Sequence, residues 1–589
     1  MSDLAGASMP EGPSRPPRPL LALLALAAAA LTAIGYRAVG DLYYGGFALP
    51  HGYGMYHLLP PELAMLALFT SMGTAVMACL WLALRAVDSL PAWAHRLRRH
   101  SGSAVLALGL AAAALAGSLA VRTLVLDGQA VSDDEHTYRF IARTLRTGAL
   151  TAASPGTDLE FFREQFVVLT PAARYGKYPI GYPLLLAVAQ TAGLGALLNP
   201  LLTALLVLGV WRLAWQVAGP AVALVAALLF ATSPQALFTG ATDLSQPASA
   251  ICLVGALVLV TGRSAQPPRI GRLVAAGLLL AYGILVRPLP SVLMVPLVAF
   301  LATTRDAPPA VRWRRAGLVG GLAAAGIGAV LLQNRLQSGA ALVSGYQAFH
   351  SPGAAAGAAS LADSLQGHLP ARTIAVWGTL LRLDAWLLGW PVSLGLAALA
   401  PAHPLAWIVV PEIAYRLLAP KIGVGAVGPI YTYEMIPVLC VLSALGARRV
   451  ARWRGVGAGG VLALVAAGLV VSFTMFVPPR LMDLARMRAV QAAPRQLLAR
   501  AGIARALVFH AGGIAPADLG LTWAYYPPAN GPRLDDDVLY VLMPDGPDGV
   551  ARAADFWRRR FPDRSPFVFA YEDGRPTLRP LPAPLPGAP

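Results

Sequence analysis

Apolar stretches of 16 or more residues recur along most of this 589-residue chain, separated by short polar segments. A hydrocarbon core of about 30 Å takes roughly 20 helical residues to cross, and in lipid every backbone polar group must be satisfied inside the segment. The stretches therefore predict membrane helices. The period-two alternation of a sandwich or barrel does not occur. About 13 spans are expected, near 19–36, 62–86, 103–126, 199–217, 220–235, 244–261, 272–287, 289–303, 316–333, 383–401, 403–419, 430–447 and 457–477. The fold class is an all-α polytopic membrane protein. The stretch 178–197 is read as a helix lying in the outer interface, because a full span there would reverse the side of the arginines at 263–272.

Two outer loops stand out by length. The first covers 127–198; the second covers 334–382 and holds a Gly/Ala/Ser-rich run at 352–364, read as a mobile loop over a site. After the last span comes a tail of about 110 residues. Its apolar runs 506–510, 538–543 and 566–571 predict short strands, 551–561 a helix, and Asp573-Gly574 a hairpin turn. The expected organisation is an extra helical hairpin with a cytoplasmic loop at 1–100, a membrane core at 101–478, and a small extracytoplasmic α/β domain at 479–589 ending in a disordered Pro-rich run.

Charge orients this arrangement. Only 13% of residues are charged, mean hydropathy is +0.60 and the net charge is +17. The basic residues sit in short clusters between apolar segments: Arg96, Arg98 and Arg99; Arg263, Arg269 and Arg272; Arg312, Arg314 and Arg315; Arg448, Arg449, Arg452 and Arg454. That is a positive-inside pattern rather than a nucleic-acid surface, and it places the clusters and the N-terminus (Arg15, Arg18) in the cytoplasm. The first helix reads as retained, since a second apolar segment follows and no convincing cleavage site is present. Cys79, Cys252 and Cys440 lie inside apolar segments, without disulfide or metal-ligand spacing.

The candidate chemistry falls on the other side. Asp133, Asp134 and Glu135 form a run of three acids just past an apolar segment. Acids at that depth mark a site or complement a helix N-terminus, and the run alone leaves both readings open. Lysine usage is sharper: of 46 basic side chains only Lys177 and Lys421 are lysines. Lys177 is either an interfacial lysine or a compact ammonium kept for a task. Asp243 could cap a helix beginning near Leu244 or serve the site; Arg287 could anchor lipid head groups or meet a substrate phosphate. His136 has no second histidine at helical spacing, so a zinc site is not expected.

These residues carry a resemblance. Asp-Glu-His-Thr-Tyr-Arg-Phe-Ile-Ala-Arg-Thr-Leu-Arg-Thr-Gly from Asp134 resembles the first-outer-loop signature of GT-C glycosyltransferases, and Gly-Lys-Tyr-Pro-Ile-Gly-Tyr-Pro from Gly176 is similar to their juxtamembrane motif. Ala-Thr-Ser-Pro before Asp243, Val-Arg-Pro at 286–288, Gly-Pro-Ile-Tyr at 428–431 and the Asn334…Gly345-Tyr346 loop fit the same order. The nearest branch includes the bacterial aminoarabinose transferases of lipid A and, more distantly, the protein O-mannosyltransferases. The resemblance covers about 103–450. It departs in three ways: two helices precede the usual first one, Asp133 precedes the Asp-Glu pair, and Gly-Pro-Ile-Tyr replaces the usual Gly-x-Arg-Tyr.

The resemblance implies an inverting transfer of sugar from a polyprenyl phosphate to an acceptor hydroxyl of a lipid, glycan or protein, at the outer face of a bacterial inner membrane. The phosphate leaving group needs a cation, a role for Lys177 with Arg287. The acceptor needs a base, Asp134 or Asp133 in a group with Glu135. Asp243, Tyr138, Tyr346 and Lys421 would support them. No cofactor is certain; family members differ in metal use, which leaves a divalent cation open. Membrane lipids are the other partners. The rival reading is a transporter or flippase for a lipid-linked or small anionic substrate, whose polar groups should line a path at the bilayer midplane.

Overall fold

The structure is a computed structural model and describes residues 18–44, 60–87, 90–262, 268–303, 307–350, 369–411, 413, 427–511, 528–572 and 575–582. Helix dominates. The N-terminal hairpin pairs α1 (Arg18–Tyr44) with α2 (Pro60–Arg85), followed by amphipathic α3 (Leu90–His100). The core runs through α4 (Ala104–Ala120), continued by a π turn at Val121–Val125, then α5 (Asp133–Arg146), α6 (Gly181–Thr191), α7 (Leu198–Ala218), α8 (Pro220–Ala231), α9 (Pro234–Ala241), α10 (Gln246–Val260), α11 (Ile270–Val286), α12 (Pro288–Leu301) and α13 (Pro309–Ser338). It closes with α14 (Gly345–His350), α15 (Leu369–Leu388), α16 (Ser393–Ala398), α17 (Ile436–Val450), α18 (Gly457–Val471) and α19 (Val477–Arg500). The apolar core is built chiefly from α7, α8, α10, α11 and α17. α17 is buried on nearly every side.

The expected 13 spans are not 13 continuous helices. Among the described residues six helices are long and apolar enough to cross a membrane, or seven if the pair α8–α9, bent by 53°, counts as one. The reason is local. Ser233-Pro234, Arg287-Pro288 and Gly389-Trp390-Pro391 break apolar runs into shorter pieces that lean on neighbouring helices. The expected span 383–401 is such a case: α15 stops at Gly389, whose φ of +67° a side chain would strain, and α16 restarts four residues later. In 403–419 there is a 3-10 turn at Pro404–Ile408, and most of the remainder lies outside the described residues.

Two boundaries also move. The expected end of the core at 478 falls inside a continuous helix, because α18 runs through a π turn at Ser472–Phe476 directly into α19. The stretch 178–197 holds α6, whose eleven residues reach about 16 Å at 1.5 Å each, half of a membrane core. The first long loop carries α5, α6 and a small antiparallel sheet of β1 (Ala152–Ala153), β3 (Ala173–Gly176) and β2 (Val167–Leu169). The second contracts, since α13 continues to Ser338; its Gly/Ala/Ser-rich run 352–364 lies outside the described residues.

The tail is a four-stranded sheet ordered β5 (Val538–Leu542), β4 (Ala506–His510), β6 (Ser565–Glu572) and β7 (Arg575–Pro580), covered by α20 (Gly549–Arg560). β4 is parallel to β5 and β6, and β7 turns back antiparallel from Glu572↔Arg575; residues 573–574, the expected turn, lie outside the described residues, as does the Pro-rich end from 583. This sheet shares a core with the first loop. The Phe161 ring stacks on Phe556 at 3.9 Å. Buried Arg174 reaches Glu164 at 3.0 Å and donates to the Gly531 carbonyl, while Glu164 also accepts from the Asn530 backbone and side chain.

Candidate active site

The acid run opens α5. Ser132 has extended backbone angles and accepts the Glu135 N–H at 3.4 Å, an N-cap that starts the helix there. Glu135 answers with both oxygens: Oε1 accepts the Val131 N–H at 2.9 Å and the Ser132 hydroxyl at 3.2 Å, and Oε2 accepts the Asp243 N–H at 2.8 Å. It is fully buried, and its burial pushes the pKa up against the pull of Arg139. Glu135 thus ties the loop before α5 to the α9–α10 junction.

Asp133 and Asp134 face differently. Asp133 is buried, which pushes its pKa well above the usual carboxylate range; the charge of Asp134 adds to this, and Lys177 and Gln491 oppose it. Asp134 is half-buried and accepts a hydrogen bond from the Tyr178 hydroxyl. His136, whose Nε2 lies 3.1 Å from the Gln491 Oε1, is lowered to about 4 by burial first and Arg139 second, so it is neutral at physiological pH.

The cations stand opposite. The Lys177 ammonium lies 3.1 Å from the Phe166 ring centroid and 5.1, 5.3 and 5.5 Å from those of Tyr178, Tyr346 and Phe349, a cage of four rings. Arg287, at the end of α11, pairs with Glu434 at 2.9 Å. Phenols join the two sides. The charges of Asp134 and Arg287 both act on Tyr138 and on Tyr346. Tyr138 packs on Tyr178 at 4.6 Å and shares a hydrogen bond of 2.9 Å with Ser245.

Asp243 is used otherwise than as a helix cap. α10 begins at Gln246, and Asp243 instead pairs with Arg122 at 2.8 Å and Arg139 at 2.7 Å. Burial alone would raise its pKa, but the two guanidiniums hold it below the usual range. Asp243 therefore clamps α5 to the π turn that ends the preceding membrane helix. Lys421 lies outside the described residues. Among the described residues no group of three or more His, Cys, Asp or Glu side chains is arranged to hold a metal ion, and the carboxylates of Glu135 and Asp243 are committed to backbone and arginine partners.

Residues of this constellation that were not singled out from sequence include Arg122, Arg139, Phe166, Glu434 and Gln491. Arg122 had a signal, a lone arginine inside an apolar segment. So did Glu434, an acid beside an apolar helix. Phe166 and Gln491 carried none, being ordinary residues of loop and tail until folding places them.

A model of the family described as dolichyl-phosphate-mannose-protein mannosyltransferase matches residues 184–331. The matched segment contains Asp243 and Arg287 but neither the acid run nor Lys177. Comparison with curated protein sequences finds no match. Among solved structures the chain is similar to ArnT from Cupriavidus metallidurans bound to undecaprenyl phosphate, at 14% identity and TM-score 0.45, over 81% of this chain and 98% of that one. The apo state of the same protein is similar at 14% identity and TM-score 0.46, over 79% and 96%. The apo Archaeoglobus fulgidus oligosaccharyltransferase is similar at 13% identity and TM-score 0.35, over 73% and 65%.

Proposed function

We propose that this GT-C-like protein transfers a sugar, with inversion, from a polyprenyl-phosphate donor to an acceptor hydroxyl of a lipid, glycan or protein, on the outer face of a bacterial inner membrane. One observation carries the reading: a half-buried carboxylate, Asp134, and a cation, Lys177, both in the first long loop, converge with Arg287 at the end of α11 on the phenols Tyr138, Tyr178 and Tyr346. In this mechanism the acceptor hydroxyl gives its proton to Asp134 as its oxygen bonds to the anomeric carbon. The bond from that carbon to the phosphate oxygen breaks with its electron pair, and the growing charge meets Lys177 and Arg287. Glu434 holds Arg287 in place, and the Asp243–Arg122–Arg139 cluster with Glu135 fixes the helix that carries the acids. A transporter would need such groups along a midplane path; here Asp134 and Lys177 lie in the first long loop instead.

The test is transfer from labelled undecaprenyl-phosphate sugar by the full chain in proteoliposomes. Asp134→Asn should lower turnover by about 10²–10⁴-fold with an unchanged melting midpoint. Near-normal turnover in both Asp134→Asn and Asp133→Asn removes the base from this run. Lys177→Ala should raise the donor KM more than the acceptor KM; the opposite split assigns it to the acceptor subsite.

A further inference from the structure

Phe166 adopts φ +62°, one of three non-glycine residues with positive φ among the described residues. A β-carbon costs energy in that region, and residues held there collect at functional sites. What the posture secures is visible in two contacts. The Phe166 carbonyl accepts the Lys177 N–H at 2.9 Å, and its ring lies 3.1 Å from the Lys177 ammonium. One residue therefore grips both the backbone and the charged end of Lys177. The surroundings leave it little choice: Glu164, two residues before, is locked to Arg174 and Asn530, and Val167, one residue after, is already paired with Gly176 in the sheet. The ring is also fixed from outside, edge-on to Phe349 at 5.7 Å and to Tyr178 at 6.0 Å.

We propose that Phe166 is a positioning residue that holds the Lys177 ammonium in the orientation that receives a donor phosphate. The proposal rests on the phosphate role assigned to Lys177 above. A ring face attracts an ammonium through its quadrupole without neutralising it.

The experiment uses the full chain in lipid nanodiscs, with undecaprenyl phosphate as the binding probe and acetic anhydride labelling read by mass spectrometry. With only two lysines in the sequence, Lys177 is followed separately from Lys421. Phe166→Leu should weaken probe binding by about tenfold and speed acetylation of Lys177, and Phe166→Tyr should restore both. Phe166→Gly should melt above Phe166→Ala, since glycine relieves the backbone, yet bind the probe no better. A Phe166→Leu protein that binds like wild type, while Lys177→Ala does not bind, overturns the proposal. So does a Phe166→Gly protein that recovers binding along with stability. If Lys177→Ala itself binds like wild type, the phosphate role of Lys177 fails; unchanged acetylation in Phe166→Leu then rejects the grip of Phe166 on its own terms.

Discussion

Asp243→Asn separates a clamp from a catalytic acid. Asparagine keeps the backbone N–H that Glu135 accepts, so only the charge is removed. Two guanidiniums then lose their carboxylate. Arg122 is 7% exposed and cannot hydrate, whereas Arg139 is 26% exposed and can in part. Breaking a buried pair by removing one partner costs about 3–5 kcal/mol, and the more exposed Arg139 adds a fraction of a surface pair, below about 1 kcal/mol. A loss of about 3–5 kcal/mol is expected, with Arg122 responsible for most of it. Arg122→Met/Asp243→Asn, which leaves no orphaned charge at that position, should recover the larger share. The pH dependence has a definite sign. Because the guanidiniums hold the folded pKa of Asp243 below its unfolded value of about 4, its contribution is present above that value and is lost as pH falls through the folded pKa. The gap between wild type and Asp243→Asn should stay constant from about pH 5 to 8 and narrow only in acid. Heat and denaturant unfolding of the three proteins in one detergent measures this. An Asp243→Asn protein as stable as wild type but inactive would refute the clamp and make Asp243 a participant in chemistry; a double variant no more stable than the single one would refute the assignment to Arg122.

Asp133 titrates with the opposite sign: its folded pKa is raised by burial first and by Asp134 next, so stability should decline as pH rises from about 4 through the folded value. Asp133→Asn should flatten that decline in melting curves across the range, and an unchanged slope rejects the buried-acid account. The orientation proposed from the arginine clusters is tested with a reporter active only outside the membrane, which should work when fused near 130, 350 or 540 and fail near 266 or 451. Opposite sides for Asp134 and Asp243 would contradict the ion-pair cluster that joins their segments.

Hydropathy was enough to read this as a helical membrane protein, because lipid admits only helices and closed barrels, and long continuous apolar runs without period-two alternation leave the helix. It also located the tail strands to within a residue or two: the expected 506–510 is β4, and 538–543 and 566–571 fall on β5 and β6. Continuity was not legible in it. The expected break between 272–287 and 289–303 holds at Arg287-Pro288, but at Ser233-Pro234 the expected span 220–235 ends early and a second short helix follows, bent away from the first by 53°. The site divides the same way. Asp134, Lys177 and Arg287 announce themselves because charge is scarce in this chain, so each charged residue near an apolar segment is a candidate. Their division of labour is decided by tertiary contacts: Glu135 and Asp243 look equivalent to Asp134 in sequence, yet each is committed to partners more than 100 positions away, and only the fold brings those partners within reach. The ring beneath Lys177 is the extreme case. Phe166 is one of 17 phenylalanines, and nothing local distinguishes it; its role arises when a strained turn between a buried ion pair and a strand leaves its carbonyl and its ring no other place to go.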